Sequence, residues 1–200
     1  LGERDLIVPY WLLKYEELET LLVDMTNPLH ISNQVSFLKD AVGRLKLPAA
    51  NELGLVEAMT LDSPLYFSLE NLKTYADNMN EARYVVNTEQ YAFSKLAFRS
   101  MRPAEQEELL LTKRCTFNRG NATGEIPHAL YNGKLLGIIQ KLETRLNDRR
   151  YDFLLRPLQQ AKDSELFHEV FAETCSPGQL TQAMADFIRA LLGRGKRRSN

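Results

Sequence analysis

The sequence predicts a mainly α-helical protein with a few short strands. Apolar residues recur at intervals of three and four positions from Leu29 to Lys46 and again from Tyr131 to Asn147, which is the spacing of an amphipathic helix. Short apolar runs that suggest strands occur near Leu6, Leu65 and Tyr151. Helical patterns therefore cover much more of the chain than strand patterns do.

Length and composition agree with a soluble globular chain. With 200 residues, 44% of them hydrophobic, the protein has enough apolar surface for one or two cores. The apolar runs are far shorter than the 18 residues that a membrane helix needs. The first residues include neither an initiator methionine nor a signal-peptide pattern. We therefore expect a cytoplasmic protein, and a chain that starts inside a longer one.

Charge distribution indicates a class of partner, and the cysteine spacing indicates the state of the thiols. Residues 1–100 carry 9 Lys and Arg against 14 Asp and Glu, whereas residues 101–200 carry 16 against 12. The C-terminal half is thus the one expected to face a polyanion. Cys115 and Cys175 are far apart and have no CxxC or CxxH neighbour, so we expect reduced thiols and no zinc site.

The opening stretch holds the only tryptophan of the chain. Leu6 to Val8 predicts a short strand that Pro9 ends, and a helix is expected from Tyr15 onward. Between them, Trp11 predicts a buried aromatic corner. The other interpretation is a platform on which Tyr10, Trp11 and Tyr15 stack the bases of a single strand.

Helix start and stop signals divide the middle of the chain. Asn27 and Pro28 suit the start of the helix that includes residues 29–46, and Pro48 is expected to end it. Ser68 is expected to cap the next helix. From residue 80 to 124 the pattern is weak, and helices are considered over 91–98 and 104–114.

The C-terminal part continues the helical pattern. A strand is expected from Tyr151 to Leu155 after the helix that ends at Asn147. Ser176 and Gln179 form a capping-box pattern for a helix that Gly193 should stop. The last residues, 194–200, are basic and are expected to be unstructured.

Motifs for nucleotide or metal chemistry are missing from the sequence. A phosphate-binding loop GxxxxGK[ST] is absent, since Gly195-Lys196 is followed by Arg197 and has Ala190 in place of the first glycine. His168-Glu169 lacks the second histidine of a zinc protease, because position 172 is alanine. His30 and His128 have no ligand-like neighbours, so structural or surface roles are expected for both.

Two motifs of the chain carry a resemblance to a known family. PYWLLKYEEL at residues 9–18 is similar to the Pro-Tyr-Trp-Leu-Leu-x-x-Glu-Glu-Leu signature of HerA-like ATPases, the hexameric DNA-translocating pumps related to FtsK. RLNDRRYDFLL, with Arg150-Tyr151-Asp152-Phe153 at its core, resembles a second family segment about 140 residues further on. A looser likeness is the Asp62-x-Pro64 segment that precedes the helix capped at Ser68.

The resemblance implies that the chain is the helical insertion region of a HerA-like ATPase, between the phosphate loop and the acidic magnesium-binding strand. No catalytic, cofactor-binding or metal-binding residue is then expected within the chain, and ATP and magnesium belong to the parent protein. The implied partners are the rest of the parent, its copies in a hexamer, DNA, and a nuclease or sirtuin-type effector. No membrane partner is implied, and the parent would be a prokaryotic translocase or helicase.

Five basic residues are the candidates for contact with phosphate or with a neighbouring subunit. They are Arg149, Arg150, Lys196, Arg197 and Arg198. For the first two, the alternative is a pair of cations stabilised by the C-terminal end of a helix dipole. For the last three, it is a solvated chain end.

The expected organisation has three parts, and two other functions remain open. Residues 1–13 form a short strand and the aromatic corner, 14–193 the helical insertion domain, and 194–200 a basic flexible tail. The alternative function is a stand-alone helical protein-interaction module that docks a partner through an amphipathic face. A metal-independent enzyme assembled from scattered residues is the third possibility.

Overall fold

A computed structural model describes residues 8–88, 90–118, 124–156 and 176–197. The α-helices in this part of the chain are α1 (Tyr15–Leu22), α2 (Ile31–Glu52), α3 (Leu69–Glu81), α4 (Leu96–Arg99), α5 (Pro103–Thr112), α6 (Leu136–Asn147), α7 (Asp152–Leu155) and α8 (Pro177–Arg197). Two strands, β1 (Arg83–Val85) and β2 (Glu125–Pro127), pair antiparallel, with Tyr84 opposite Ile126. The predicted class, mainly α with a few short strands, is confirmed.

The chain divides into two compact units. The first contains Leu1–Leu18, Lys46–Phe67 and Arg145–Asn200, and the second contains Glu19–Leu45 and Ser68–Thr144. In the second unit, α3 packs against α5, and the two-stranded sheet lies next to a set of contacting aromatic rings. In the first unit, Ala49, Ala50 and Leu65 form a buried apolar cluster.

The strand predicted at Leu65 is wrong, although the burial of residues 65–67 does alternate. Leu65 and Phe67 are each 2% exposed, and Tyr66 between them is less buried. The backbone N–H of Tyr66 donates to the Thr181 hydroxyl at 2.9 Å instead of to a neighbouring strand. A side chain from α8 therefore satisfies a donor that a sheet would otherwise have used.

The strand predicted from Tyr151 to Leu155 is also wrong. Arg149–Tyr151 form a 3-10 turn, and α7 follows directly. The Asp148 carboxylate accepts a hydrogen bond from the backbone N–H of Arg150 at 3.0 Å. This local cap starts a helical turn where apolar alternation suggested a strand. The third predicted strand lies almost wholly outside the described residues, since Leu6 and Ile7 are not among them.

The helix predicted over residues 29–46 is present, but it extends past Pro48 to Glu52. A proline inside a helix removes one hydrogen bond and usually breaks or kinks the helix. Here the next turn is held by Ala49 and Ala50, which are fully buried against Leu65. Burial of these small side chains thus continues the helix beyond the residue that was expected to end it.

The helix expected over 104–114 is confirmed as α5, and Ser68 caps α3 as predicted, accepting from the Asn71 backbone at 3.1 Å. Residues 91–98 are mostly not helical. Isolated bridges join Tyr84 to Tyr91 and Phe93 to Phe117, and only the short α4 follows. The rings of Phe93 and Phe117 stack 5.4 Å apart.

The helix predicted from Tyr131 starts later, at Leu136. The side chain of Asn80 accepts a hydrogen bond from the Leu135 backbone at 2.9 Å, and the carbonyl of Asn80 accepts one from Gly133. Gly133 has a φ of 73°, a left-handed conformation that glycine adopts without strain. These distant contacts form a turn where the periodicity had suggested a continuous helix.

The capping box at the start of α8 is confirmed in both directions. The Ser176 backbone donates to the Gln179 side chain at 2.9 Å, and the Gln179 backbone donates to the Ser176 hydroxyl at 3.3 Å. The prediction that Gly193 stops this helix is wrong, because α8 continues to Arg197. A helical glycine costs only about 1 kcal/mol relative to alanine, which is too little to end a long helix.

Asn78 connects α3 to the segment that follows α5. Its side chain is fully buried, and its amide nitrogen donates to the carbonyls of Leu110 and Lys113, both at 2.7 Å. Its amide oxygen accepts from the Cys115 backbone at 2.8 Å and from the Arg114 guanidinium at 3.1 Å. One buried side chain therefore satisfies three backbone groups and also accepts from the exposed Arg114 guanidinium.

We predict that Asn78→Ala lowers the free energy of unfolding by about 2–4 kcal/mol, because it leaves several buried polar groups without partners. Urea denaturation monitored by circular dichroism measures this change. Asn33→Ala is the matched control, since the Asn33 amide makes one exposed hydrogen bond, to the Leu130 carbonyl. The control should cost less than about 1 kcal/mol, and equal losses in the two variants would contradict the prediction.

Candidate functional site

The aromatic corner predicted around Trp11 is buried. Trp11 is 1% exposed and meets Tyr10 and Tyr66 edge to face, with ring centroids 5.0 and 5.1 Å apart. The Tyr10 hydroxyl donates to the Phe67 carbonyl. Tyr15 is 8% exposed. The buried-anchor prediction is confirmed, and the stacking platform is wrong, because these rings have no free face for a nucleic-acid base.

Lys46 is a buried charged residue that the sequence reasoning missed. It is 1% exposed, and its ammonium group donates to the carbonyls of Leu61 and Ser63 at 2.6 and 2.7 Å. The Nζ atom lies 5.8 Å from the centre of the Phe67 ring. Burial lowers the pKa of Lys46 from 10.5 to about 8, although the charge of Asp62 opposes the shift.

Asp62 belongs to the same turn and connects it to α1. Its carboxylate accepts from the Tyr15 backbone at 2.7 Å, so it satisfies one of the free N–H groups at the start of the helix. A negative charge at this end is also favoured by the helix dipole. Lys46 and Asp62 together fix residues 61–63 against the segment that carries the aromatic corner.

Arg149 and Arg150, the two predicted contact residues, differ in their surroundings. Arg150 forms an ion pair with Asp148, with an N–O distance of 2.6 Å, and its side chain is 86% exposed. The hydrogen bond from the Arg150 side chain lowers the pKa of the Asp148 carboxyl. Arg149 is exposed, and no carboxylate among the described residues lies within ion-pair distance. Of the two guanidinium groups, that of Arg149 has the greater freedom to receive a phosphate.

Arg156 makes a direct contact with the C-terminal end of α6, near Arg149 and Arg150 in the chain. Its guanidinium donates to the Leu146 carbonyl, in the last turn of α6, at 2.6 Å. This hydrogen bond satisfies one of the free carbonyls at the helix end. Arg145 places its guanidinium 4.4 Å from the centre of the Tyr151 ring, a cation–π contact. Arg145 and Arg156 thus have structural contacts, whereas no such contact of the Arg149 side chain is seen within the described residues.

The three basic residues near the C-terminus are only partly described. Lys196 and Arg197 lie in the last turn of α8, whereas Arg198 lies outside the described residues. Cations in the last turn of a helix are favoured by its dipole. The part of the tail at residues 194–197 is therefore helical, in contrast to the unstructured tail that was expected.

The histidine and cysteine residues that the structure describes lie in packed surroundings. His128 is 9% exposed and stacks on Tyr131, with ring centroids 4.8 Å apart, and burial lowers its pKa. Cys115 is 1% exposed, and burial raises the pKa of its thiol. His168 and Cys175 lie outside the described residues. Within the described ranges, no three His, Cys, Asp or Glu side chains are grouped in a way that could hold a metal ion.

Comparison with protein-family models and with curated proteins finds no match for this chain. In residues 8–88, 90–118, 124–156 and 176–197, no helix combines the length and the apolar character that crossing a bilayer requires.

The lowered pKa of Lys46 predicts a specific pH dependence of stability. Below about pH 8 the lysine is charged in both the folded and the unfolded chain, so its burial penalty is constant. As the pH rises from about 8 toward 10.5, the folded form releases its proton first, and the wild type gains stability relative to Lys46→Met. Urea denaturation of both proteins between pH 7 and about 9.5 measures the difference.

Lys14→Met, which replaces an exposed lysine, is the control, and its difference from wild type should stay flat over the same range. A difference between wild type and Lys46→Met that is flat or falls as the pH rises would contradict the assignment of a buried, proton-releasing amine.

Proposed function

We propose that this chain is the helical region of a HerA-like ATPase, lying between the phosphate loop and the acidic magnesium-binding strand of a parent that couples ATP hydrolysis to DNA translocation. The proposal rests on the order and spacing of PYWLLKYEEL and RRYDF in the sequence. ATP and magnesium bind to other parts of the parent, which forms a hexamer in the cytoplasm and works with a nuclease or sirtuin-type effector.

The surroundings of the two motifs support this assignment. In PYWLLKYEEL, the aromatic residues Tyr10 and Trp11 are core residues, while Glu16 and Glu17 lie in the first turn of α1. In RRYDF, Tyr151 receives the cation–π contact from Arg145, and Asp152 starts α7. Tyr10, Trp11, Tyr151 and Asp152 thus have structural positions, which fits an insertion region without chemistry of its own.

Within this proposal, Arg149 is the residue that meets phosphate. The exposed Arg149 guanidinium, which has no carboxylate partner among the described residues, can make two parallel hydrogen bonds to phosphate oxygens. The backbone beside it is held by the Asp148 cap and by the contact of Arg156 with α6. The phosphate belongs either to the DNA backbone or to the nucleotide of a neighbouring subunit. Lys196, Arg197 and Arg198 add further positive charge to the same proposed role.

The alternative, a stand-alone helical interaction module, makes a different prediction about the reading frame. A HerA-like parent requires a phosphate loop encoded upstream of residue 1 and an acidic strand encoded shortly after residue 200. A module requires neither of them. Sequencing the DNA on both sides of the coding segment therefore separates the two functions without any assay.

We predict that the purified 200-residue chain does not turn over ATP with magnesium, whereas the product of the complete reading frame does. The reason is that the chain has no loop of backbone amides and lysine to hold the phosphates. A coupled assay for released phosphate measures both rates. Magnesium-dependent turnover by the 200 residues would contradict the proposal, and an inactive full-length product would leave the interaction module as the function.

The two arginines should differ in DNA binding. For Arg149→Ala we predict that the slope of log K against log salt falls by about 1, the value for loss of one phosphate contact. Arg150→Ala should change it less, because Asp148 already neutralises that guanidinium. Fluorescence anisotropy of a labelled duplex at several salt concentrations gives the slopes. Equal slopes for wild type and Arg149→Ala would show that Arg149 makes no phosphate contact.

A further inference from the structure

A second group of cations lies around Phe98 of the short helix α4 and shares no residue with the arginines near Tyr151. The ammonium groups of Lys95 and Lys113 lie 5.4 and 5.7 Å from the centre of the same ring, that of Phe98. No carboxylate in the described parts of the chain pairs with either lysine. We call this the α4 surface and define it by Lys95, Leu96, Phe98, Arg99 and Lys113.

An exposed leucine directly follows Lys95 in the chain. Leu96 is 77% exposed, next to Lys95 in the chain and one helical turn before Arg99, which is itself exposed. Leaving a large apolar side chain in water forgoes the free energy of its burial, and two unpaired ammonium groups near one ring repel each other. A partner with carboxylates and an apolar side chain would reduce this repulsion and remove the leucine from water.

The α4 surface is held rigidly in place. The Gln106 side chain donates to the Phe98 carbonyl at 3.1 Å, and the Arg99 Nε donates to the Phe93 carbonyl at 2.6 Å. After the end of α5, the Lys113 carbonyl accepts a hydrogen bond from the buried Asn78 side chain. The backbone that carries both lysines is therefore fixed before any partner arrives, which lowers the entropy cost of binding.

We propose that the α4 surface docks an acidic segment of another protein, in which an apolar side chain lies between carboxylates. Charge complementarity selects an anionic partner. Leu96 selects a protein over a nucleic acid, because a leucine offers no aromatic face for a base to stack on. The Phe98 ring does not provide that face either, since Phe93 packs edge to face against it, 5.8 Å away, and two ammonium groups lie close to it.

The α4 surface does not depend on the ATPase proposal, because none of its residues belongs to the two motifs that carry that proposal. Lys95, Arg99 and Lys113 are different residues from Arg149, so a variant of one surface leaves the side chains of the other unchanged. Failure of the docking experiment therefore leaves the proposed ATPase function unaffected, and the converse also holds.

The test is fluorescence anisotropy with a labelled 12-residue peptide that contains one leucine flanked on each side by glutamates. We expect saturable binding to the purified chain that weakens about tenfold in Lys95→Glu/Lys113→Glu, where attraction becomes repulsion. Leu96→Ser should weaken it about fivefold. Lys14→Glu/Lys39→Glu, which changes the net charge equally at other exposed lysines, should stay within about twofold of wild type.

A peptide with serine in place of its leucine completes the experiment. It should bind the wild type more weakly than the leucine peptide, and this difference should shrink in Leu96→Ser if the two leucines meet. A 20-nucleotide oligothymidylate that binds more tightly than the peptide, and whose affinity Leu96→Ser leaves unchanged, would overturn the proposal in favour of a nucleic-acid partner. Binding that is not saturable below about 1 mM, or is unaffected by the lysine reversals, would overturn it outright.

Discussion

The buried ammonium group of Lys46 is the interaction on which the first unit depends. It holds the carbonyls of Leu61 and Ser63, while Asp62 between them receives the Tyr15 backbone. The residues that follow, Tyr66 and Phe67, then pack against Trp11 and Tyr10. A buried charge is tolerated where hydrogen bonds replace its lost hydration, and here two carbonyls accept from the ammonium group. The aromatic corner is thus built around a lysine and not around apolar contacts alone.

Asn78 has the corresponding role in the second unit, with four hydrogen bonds from one buried amide. Both residues turn polar side chains inward to fix loops, which cannot satisfy their own backbone groups as helices do. Two exposed cations, Arg149 and Lys113, are attached to backbone segments that such hydrogen bonds hold in place. Arg149 lies beside a capped turn, and Lys113 follows the end of α5. Rigid support of this kind suits surfaces that bind, whether the ligand is a phosphate or a carboxylate.

The two proposals concern different surfaces and different chemistry. The ATPase proposal rests on sequence motifs whose aromatic residues Tyr10 and Trp11 are buried, while Arg149 and Arg150 are exposed. The docking proposal rests on geometry, since Lys95 and Lys113 are 18 positions apart in the sequence and meet only around Phe98. Basic residues spread along a chain are ordinary, and a shared aromatic ring is what makes these two a site. A helical region with a docking surface is compatible with either a translocase parent or an independent module.

The sequence by itself determined the fold class, the amphipathic helices and the caps at Ser68 and Ser176, because helical periodicity and capping depend on residues within a few positions. It also predicted that Trp11 is buried. Tertiary structure decided what depends on distant partners: Thr181 satisfies the backbone of Tyr66, Asn80 delays the start of α6, and buried alanines carry α2 past Pro48. Local patterns also could not predict that Arg149 and Arg150 have different surroundings, or that Lys95 and Lys113 lie near the same ring. The partners of a side chain are fixed only when the chain has packed.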